Sequence, residues 1–234
     1  MVKPTSSKER KTLLNPSDKS QQKKVNGHEL SFTNLNKIYW PKEKITKRDM
    51  INYYYQVAPF ILPYLKDRPQ SMNRYPNGIN GKSFYFKDVS GSAPDWATLY
   101  KYRRDEDNRL RHYLIANKEA SLLYMANLGC IEMNPWSSRV SKEDKPDWCI
   151  IDLDPGKKNS FDDVIEVALA TKAVLEELGV EGYPKTSGST GIHIYIPLGA
   201  KYSYEQSKHF AELVAQLVQE QLPALTSVER IVKN

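Results

Sequence analysis

The sequence predicts an α+β fold. Short β-branched and aromatic runs bounded by turn residues recur between residues 70 and 136 and again between 183 and 197, spaced like neighbouring strands joined by turns. Three helically periodic segments each open on a hydroxyl residue followed three positions later by an acid or amide: Thr46 with Asp49, Ser160 with Asp163 and Ser203 with Gln206. With 234 residues and 40% hydrophobic content, the chain can bury a core in one domain or in two closely packed lobes.

Residues 1–27 are rich in Lys, Ser, Asn and Gln and lack periodicity; they read as a disordered basic arm or interdomain linker, with order beginning near Leu30. Leu35, Ile38 and Tyr39 keep helical spacing until Pro41. Thr46 then caps a helix over 47 to about 60, with Met50, Tyr53, Tyr54 and Val57 facing inward. Strands follow over 70–75 and 82–87 around a turn at 76–81. Two more, over 98–102 and 112–116, flank a charged turn, RRDEDNR, expected to be solvated. A short helix over 118–127 leads to a strand over 129–136, with Trp136 assigned to the core. The helix opened by Ser160 has Val164, Val167, Ala168, Val174, Leu175 and Leu178 on one side and closes at Gly179. A hairpin (183–187 and 192–197) and a last helix over 203–222 complete the chain.

The most informative stretch is WCIIDLDP, residues 148–155. Its apolar run is that of a buried strand, ended by Pro155 and Gly156. Side chains alternate along a strand, so Asp152 and Asp154 leave on one face. Two such close carboxylates repel each other and call for a shared proton or a cation, for which Mg²⁺ or Mn²⁺ with oxygen ligands suits. A solvated turn at a strand end fits the spacing equally well. In the hairpin, Ile192, Ile194 and Ile196 share the buried face, which turns His193 and Tyr195 to the other. The Ser-Gly-rich turn before them, with Ser187, Ser189 and Thr190, offers N–H groups and hydroxyls to an anion. Nearer the N-terminus, Asn34, Lys37 and Lys47 flank a short loop at a helix start and form a candidate phosphate cradle, although solvated lysines explain such a trio as well. Phe84, Tyr85 and Phe86, interleaved with Arg74, Lys82 and Lys87, suit base stacking with phosphate contacts, or in part the core.

Net charge is +6, unevenly spread: residues 1–48 hold 12 Lys+Arg against 4 Asp+Glu, and the remainder 22 against 24. A basic front and a mildly acidic body suggest a polyanionic partner. Cys130 and Cys149, without a CxxC pair, read as reduced core thiols of a cytoplasmic protein rather than a disulfide or zinc site. No apolar stretch approaches the roughly 20 residues of a membrane span, and no signal-peptide core opens the chain.

DLDP, KTSGSTGIHIYIPL and TNLNKIYWP, in that setting, resemble the polymerase domain of bacterial ATP-dependent DNA ligase D, within the archaeo-eukaryotic primase superfamily. The resemblance runs from about Glu29 onward. It implies a primase-like fold of central mixed or antiparallel sheets flanked by helices, over residues 28–234. It also implies two divalent ions, Mn²⁺ or Mg²⁺, on Asp152 and Asp154, with these acids and His193 as catalytic residues. Ser187, Thr190, His193 and Arg74 would hold the incoming nucleotide, NTP or dNTP. Asn34, Lys37 and Lys47 would bind the 5′-phosphate of a DNA break, and Phe84 and Tyr85 would stack on bases. The implied activity is template-directed nucleotide addition to a 3′-hydroxyl during non-homologous end joining. Implied partners are ligase and phosphoesterase domains of the same polypeptide and the end-binding protein Ku, in a bacterial cytoplasm at the nucleoid.

Three departures mark this chain. Thr190 stands where many relatives carry Lys, and Asn134 where a His before Pro-Trp is common. The family's third metal-binding Asp lies on a later strand with no match before Asn234, so the resemblance implies a C-terminally incomplete fragment. Two other readings stand beside the polymerase: a DNA-end-binding module without catalysis, and a D-x-D phosphatase of the haloacid dehalogenase kind. Against the phosphatase, Pro155 replaces the usual Thr or Val and the D-x-D falls late in the chain.

Overall fold

In the computed structural model, which describes residues 10–103 and 107–228, order begins well before Leu30. Strands β1 (Gln21–Val25) and β2 (His28–Phe32) pair antiparallel around Asn26 and Gly27, both at positive φ (50° and 85°). Asn-Gly with φ positive at both positions is the tight hairpin turn whose twist matches its strands. The expectation of a disordered arm or linker over 1–27 is therefore corrected for residues 10–27. Val25, Leu30 and Phe32 are buried, Leu14 is 2% exposed, and Arg10 pairs with Glu119 while covering the Tyr55 ring at 3.8 Å. Few apolar residues suffice here because the hairpin borrows its core from elements far along the chain. Residues 1–9 lie outside the described part.

The chain divides into two units between Trp136 and Ser137. In the first, Ile38–Trp40 forms β3, pairing with β4 (Ile45–Thr46), and not the helical turn that its spacing suggests. A β-branched residue and two aromatics suit a pleated strand, and pairing outweighs a weak local period. Helix α1 (Lys47–Leu65) starts at the expected Thr46–Asp49 capping box but runs past Pro59 and Pro63. Its buried face is Met50, Ile51, Tyr54 and Ala58, whereas Tyr53 is 57% exposed, so the helix is rotated from the expected inward face.

Strands β5 (Gln70–Arg74) and β6 (Phe84–Phe86), the hairpin β7 (Leu99–Arg103) and β8 (Leu110–Leu114), helix α2 (Glu119–Asn127) and strand β9 (Cys130–Pro135) follow, close to the expected places. β5 is the centre of an antiparallel sheet ordered β6-β5-β9. Phe32, Leu35, Ile51, Met72, Leu114, Leu122 and Met125 make its core, each worth about 1.5–3 kcal/mol when removed from water. Trp136 is half-buried, edge-on to the rings of Tyr100, Tyr102 and Tyr113. Residues 104–106 of the charged turn fall outside the described part; next to them, Arg111 pairs with Asp107.

The second unit holds β10 (Trp148–Leu153), α3 (Phe161–Glu177), β11 (Tyr183–Thr186), β12 (Ile192–Pro197) and α4 (Tyr204–Gln221). The sheet is antiparallel, ordered β10-β12-β11. Both expected capping boxes open their helices, and Gly179 (φ 67°) follows the end of α3. Ile192, Ile194 and Ile196 are buried, as predicted, among Cys149, Ile151, Val164, Val174, Leu175, Val214 and Val218. The helices thus cover one face of the sheet. Alternation leaves Asp152 and His193 on the other. No described helix is long and apolar enough to cross a membrane.

Candidate functional site

In the second unit the register sets Asp152 directly opposite His193, and His193 directly opposite Lys185, a row across all three strands. Opposed residues of an antiparallel pair share a face, and Nε2 of His193 lies 3.3 Å from Oδ1 of Asp152. The carboxyl of Asp152 is pushed up from its ordinary range, first by partial burial and then by the charge of Asp154, with His193 acting in the opposite sense. A hard cation would relieve that repulsion, so two oxygen-donor side chains fit part of the shell of Mg²⁺ or Mn²⁺. Among the described residues, no group of three or more His, Cys, Asp or Glu side chains is placed to hold a metal.

The turn after β11 is tightly built against this strand tip. Ser187 accepts hydrogen bonds at Oγ from the N–H groups of Ser189 (3.3 Å) and Gly191 (3.1 Å), and its own N–H donates to the Gly191 carbonyl. A Cβ on Gly191 would stand 2.5 Å from the Leu153 carbonyl oxygen and 2.9 Å from Oδ1 of Asp154. Only glycine lets the turn approach the second aspartate so closely. The expected offer of backbone N–H groups is narrower than the sequence suggested, since Ser187 occupies two of them, while its own O–H and that of Thr190 retain a proton to donate. Tyr195, one alternation beyond His193, is half-buried, and its phenol is pushed up by burial and by Asp152.

In the first unit, the loop carrying Asn34 (φ 56°) and Lys37 closes directly on the start of α1. Lys47 N–H donates to the Lys37 carbonyl, Arg48 N–H to the Leu35 carbonyl and Asp49 N–H to Oγ1 of Thr46. The leading N–H groups of the helix are thus already used, so an anion here would be met by side chains and not by the helix terminus. Lys47 is 5% exposed, with Nζ on the Thr33 carbonyl at 2.9 Å. Its ammonium is pushed down to about 8 by burial, then by the charges of Lys37 and Arg74. Lys37 donates from Nζ to Oδ1 of Asn77 at 2.9 Å. In the sequence Asn77 stands only as a turn residue; the contact spans 40 positions, and no local signal carries it.

Arg74 belongs with this cluster: it acts on Lys47 electrostatically, donates from Nε to the Leu128 carbonyl, and lies over Phe84 and Phe86 at 5.2 and 4.8 Å. Tyr85 points the other way, because neighbours on a strand alternate. It is 62% exposed and opposes Asn73, with Lys87 near its ring. Phe84 and Tyr85 therefore do not form one platform on one face of β6.

One unit bears Lys37, Lys47 and Arg74 close together and the other an aspartate pair beside a hydroxyl-bearing turn, an arrangement whose chemistry suits phosphate, and comparison places the chain. A family model described as LigD, primase-polymerase domain, matches residues 46–234, and the chain belongs to that family. It is 33% identical over 207 residues to the bifunctional non-homologous end joining protein LigD of Bacillus subtilis (strain 168), covering 88% of this chain and 33% of that protein. With the multifunctional LigD of Mycolicibacterium smegmatis it shares 29% identity over 198 residues, 84% of this chain and 26% of the relative. Among solved structures it resembles the polymerase domain of Mycobacterium tuberculosis ligase D in complex with DNA: TM-score 0.79, 29% identity, covering 86% of this chain and 72% of that one. The chain thus spans a third or less of the curated relatives' lengths. The match also removes the phosphatase reading.

Proposed function

We propose that this chain binds 5′-phosphorylated DNA ends and adds nucleotides to a 3′-hydroxyl in non-homologous end joining. The observation that carries the reading is the Asp152–His193 pair at a strand tip closed by the Ser187–Gly191 turn, in a member of the LigD primase-polymerase family. Asp152 and Asp154 would hold two divalent ions, Mn²⁺ or Mg²⁺; when bound, these supply Lewis-acid charge for the hydroxyl and the phosphates. The protein's own groups do the rest. The Ser187 and Thr190 hydroxyls donate to phosphate oxygens. His193, held by Asp152, presents its ring beside them. Asn34, Lys37 and Lys47 meet the terminal 5′-phosphate, with Arg74 adding positive charge at their side. The partners are DNA ends, NTP or dNTP, the ligase and phosphoesterase domains of a longer polypeptide, and Ku. Replacing Asp152 or Asp154 by Ala is expected to abolish extension of a template-annealed primer while sparing 5′-phosphate binding; retained extension removes this assignment.

A second reading, that the chain acts solely as an end-binding module, is favoured by one observation: the aspartates have no third acid grouped with them among the described residues. Its signature is selective binding of 5′-phosphate ends with no extension in Mn²⁺ and all four nucleotides.

A further inference from the structure

Lys185 takes no part in the reading above, yet it completes the row across the second sheet. It opposes His193 on β11–β12, as His193 opposes Asp152 on β12–β10. Opposed side chains start about 4.5–5.5 Å apart at Cβ on one face, so the Lys185 stem leaves the sheet beside the imidazole. The row orders its chemistry from carboxylate through imidazole to ammonium. Lys185 is exposed, and its Nζ donates to the Thr186 carbonyl at 3.1 Å, which leaves two of its three N–H donors for a ligand. The adjoining turn, residues 187–191, has hydroxyls and glycines but no cation. Lys157 and Lys158 follow β10 in a loop and have no strand register with His193. A triphosphate anchored near Asp152 and lying along this row needs positive charge beyond His193, and among the described residues strand pairing fixes Lys185 there.

We propose that Lys185 is the γ-phosphate-binding residue of this site and sets its preference for nucleoside triphosphates over diphosphates. The proposal rests on the nucleotide-binding reading of the second unit. Its test is direct binding, not turnover: titration calorimetry of the 234-residue chain with ATP and with ADP, each in Mn²⁺. A charged hydrogen bond lost from phosphate corresponds to about 10- to 100-fold in affinity. Lys185→Ala is expected to weaken ATP by that factor and leave ADP within about 2-fold, with Lys185→Arg retaining most ATP affinity. In the Lys185→Ala background, Thr190→Lys is expected to recover part of the loss by returning a cation to the neighbouring turn. Unchanged ATP affinity in Lys185→Ala, or equal losses for ATP and ADP, overturns the role of Lys185 and leaves the nucleotide-binding reading intact. Failure of the unsubstituted, folded chain to bind either nucleotide overturns that reading and the role of Lys185 with it.

Discussion

Gly191 shows how much a single position carries. In sequence it is one of two glycines in a polar turn, which suggests backbone freedom; in the structure its need is for space, between the Leu153 carbonyl and the Asp154 carboxylate. Gly191→Ala must push the turn or the acid aside. It is expected to cost about 1–3 kcal/mol in denaturant unfolding and to lower primer extension more than 5′-phosphate binding. Lys47 carries the opposite lesson. A lysine at a helix start looks solvated, but tertiary burial brings its ammonium down to about 8 from 10.5. Between those values the unfolded chain holds a proton that the folded protein has released. Stability therefore rises with pH across that window, and the penalty of burying the charge is fully present below about 8. A bound phosphate favours the charged form, so binding a 5′-phosphate at pH 9 should take up a proton. Calorimetry in buffers of differing ionisation enthalpy reads this uptake, and Lys47→Met should remove both effects.

At the scale of elements, signals written into adjacent residues were legible and those supplied by distant partners were not. The capping boxes at Thr46, Ser160 and Ser203 are local chemistry, a hydroxyl and an acid or amide three positions apart, and each opens its helix where the sequence places it. Ser160→Ala should accordingly lower stability by about 1 kcal/mol, measured as a shift of the denaturation midpoint with an unchanged slope. β3 is not legible locally because its three residues acquire their conformation from β4, nor is the N-terminal hairpin, because its buried Val25, Leu30 and Phe32 belong to a core completed by distant residues such as Ile51 and Leu122. The Asn26-Gly27 turn was the one local clue to that hairpin. Alternation on β6 also sharpens a site expectation. Phe84 is tied to Arg74, whereas Tyr85 stands exposed on the opposite face with Lys87 near its ring. Tyr85→Ala and Phe84→Ala should then differ. Loss of a stacking ring weakens single-stranded oligonucleotide binding by about 1–3 kcal/mol, expected for Tyr85, while Phe84→Ala should chiefly raise the mobility of Arg74. Equal losses in both would restore a joint platform.

For the whole molecule, charge placement is the property most directly readable from composition. The first 48 residues hold an excess of 8 positive charges while the rest is near neutral, and Lys37 and Lys47 belong to that front. Composition alone cannot say which lysines meet a ligand. In the structure Lys47 is buried, and the charges that act on its ammonium are those of Lys37 and Arg74. Binding there should have two components. One is a general attraction of DNA to the basic front, which falls with salt and ignores the chemistry of the end; the other is specific to the terminal phosphate. Each cation that neutralises a phosphate contributes about 0.9 to the slope of log affinity against log salt. Joint replacement of Lys37 and Lys47 by Ala should therefore flatten the slope by about 2 for 5′-phosphorylated duplex and hardly at all for 5′-hydroxyl duplex. Fluorescence anisotropy on the two duplexes, at matched salt, makes the comparison. Equal slopes and affinities for both ends in the unsubstituted protein would show that the front attracts DNA without recognising its terminus, and the cradle assignment would fall.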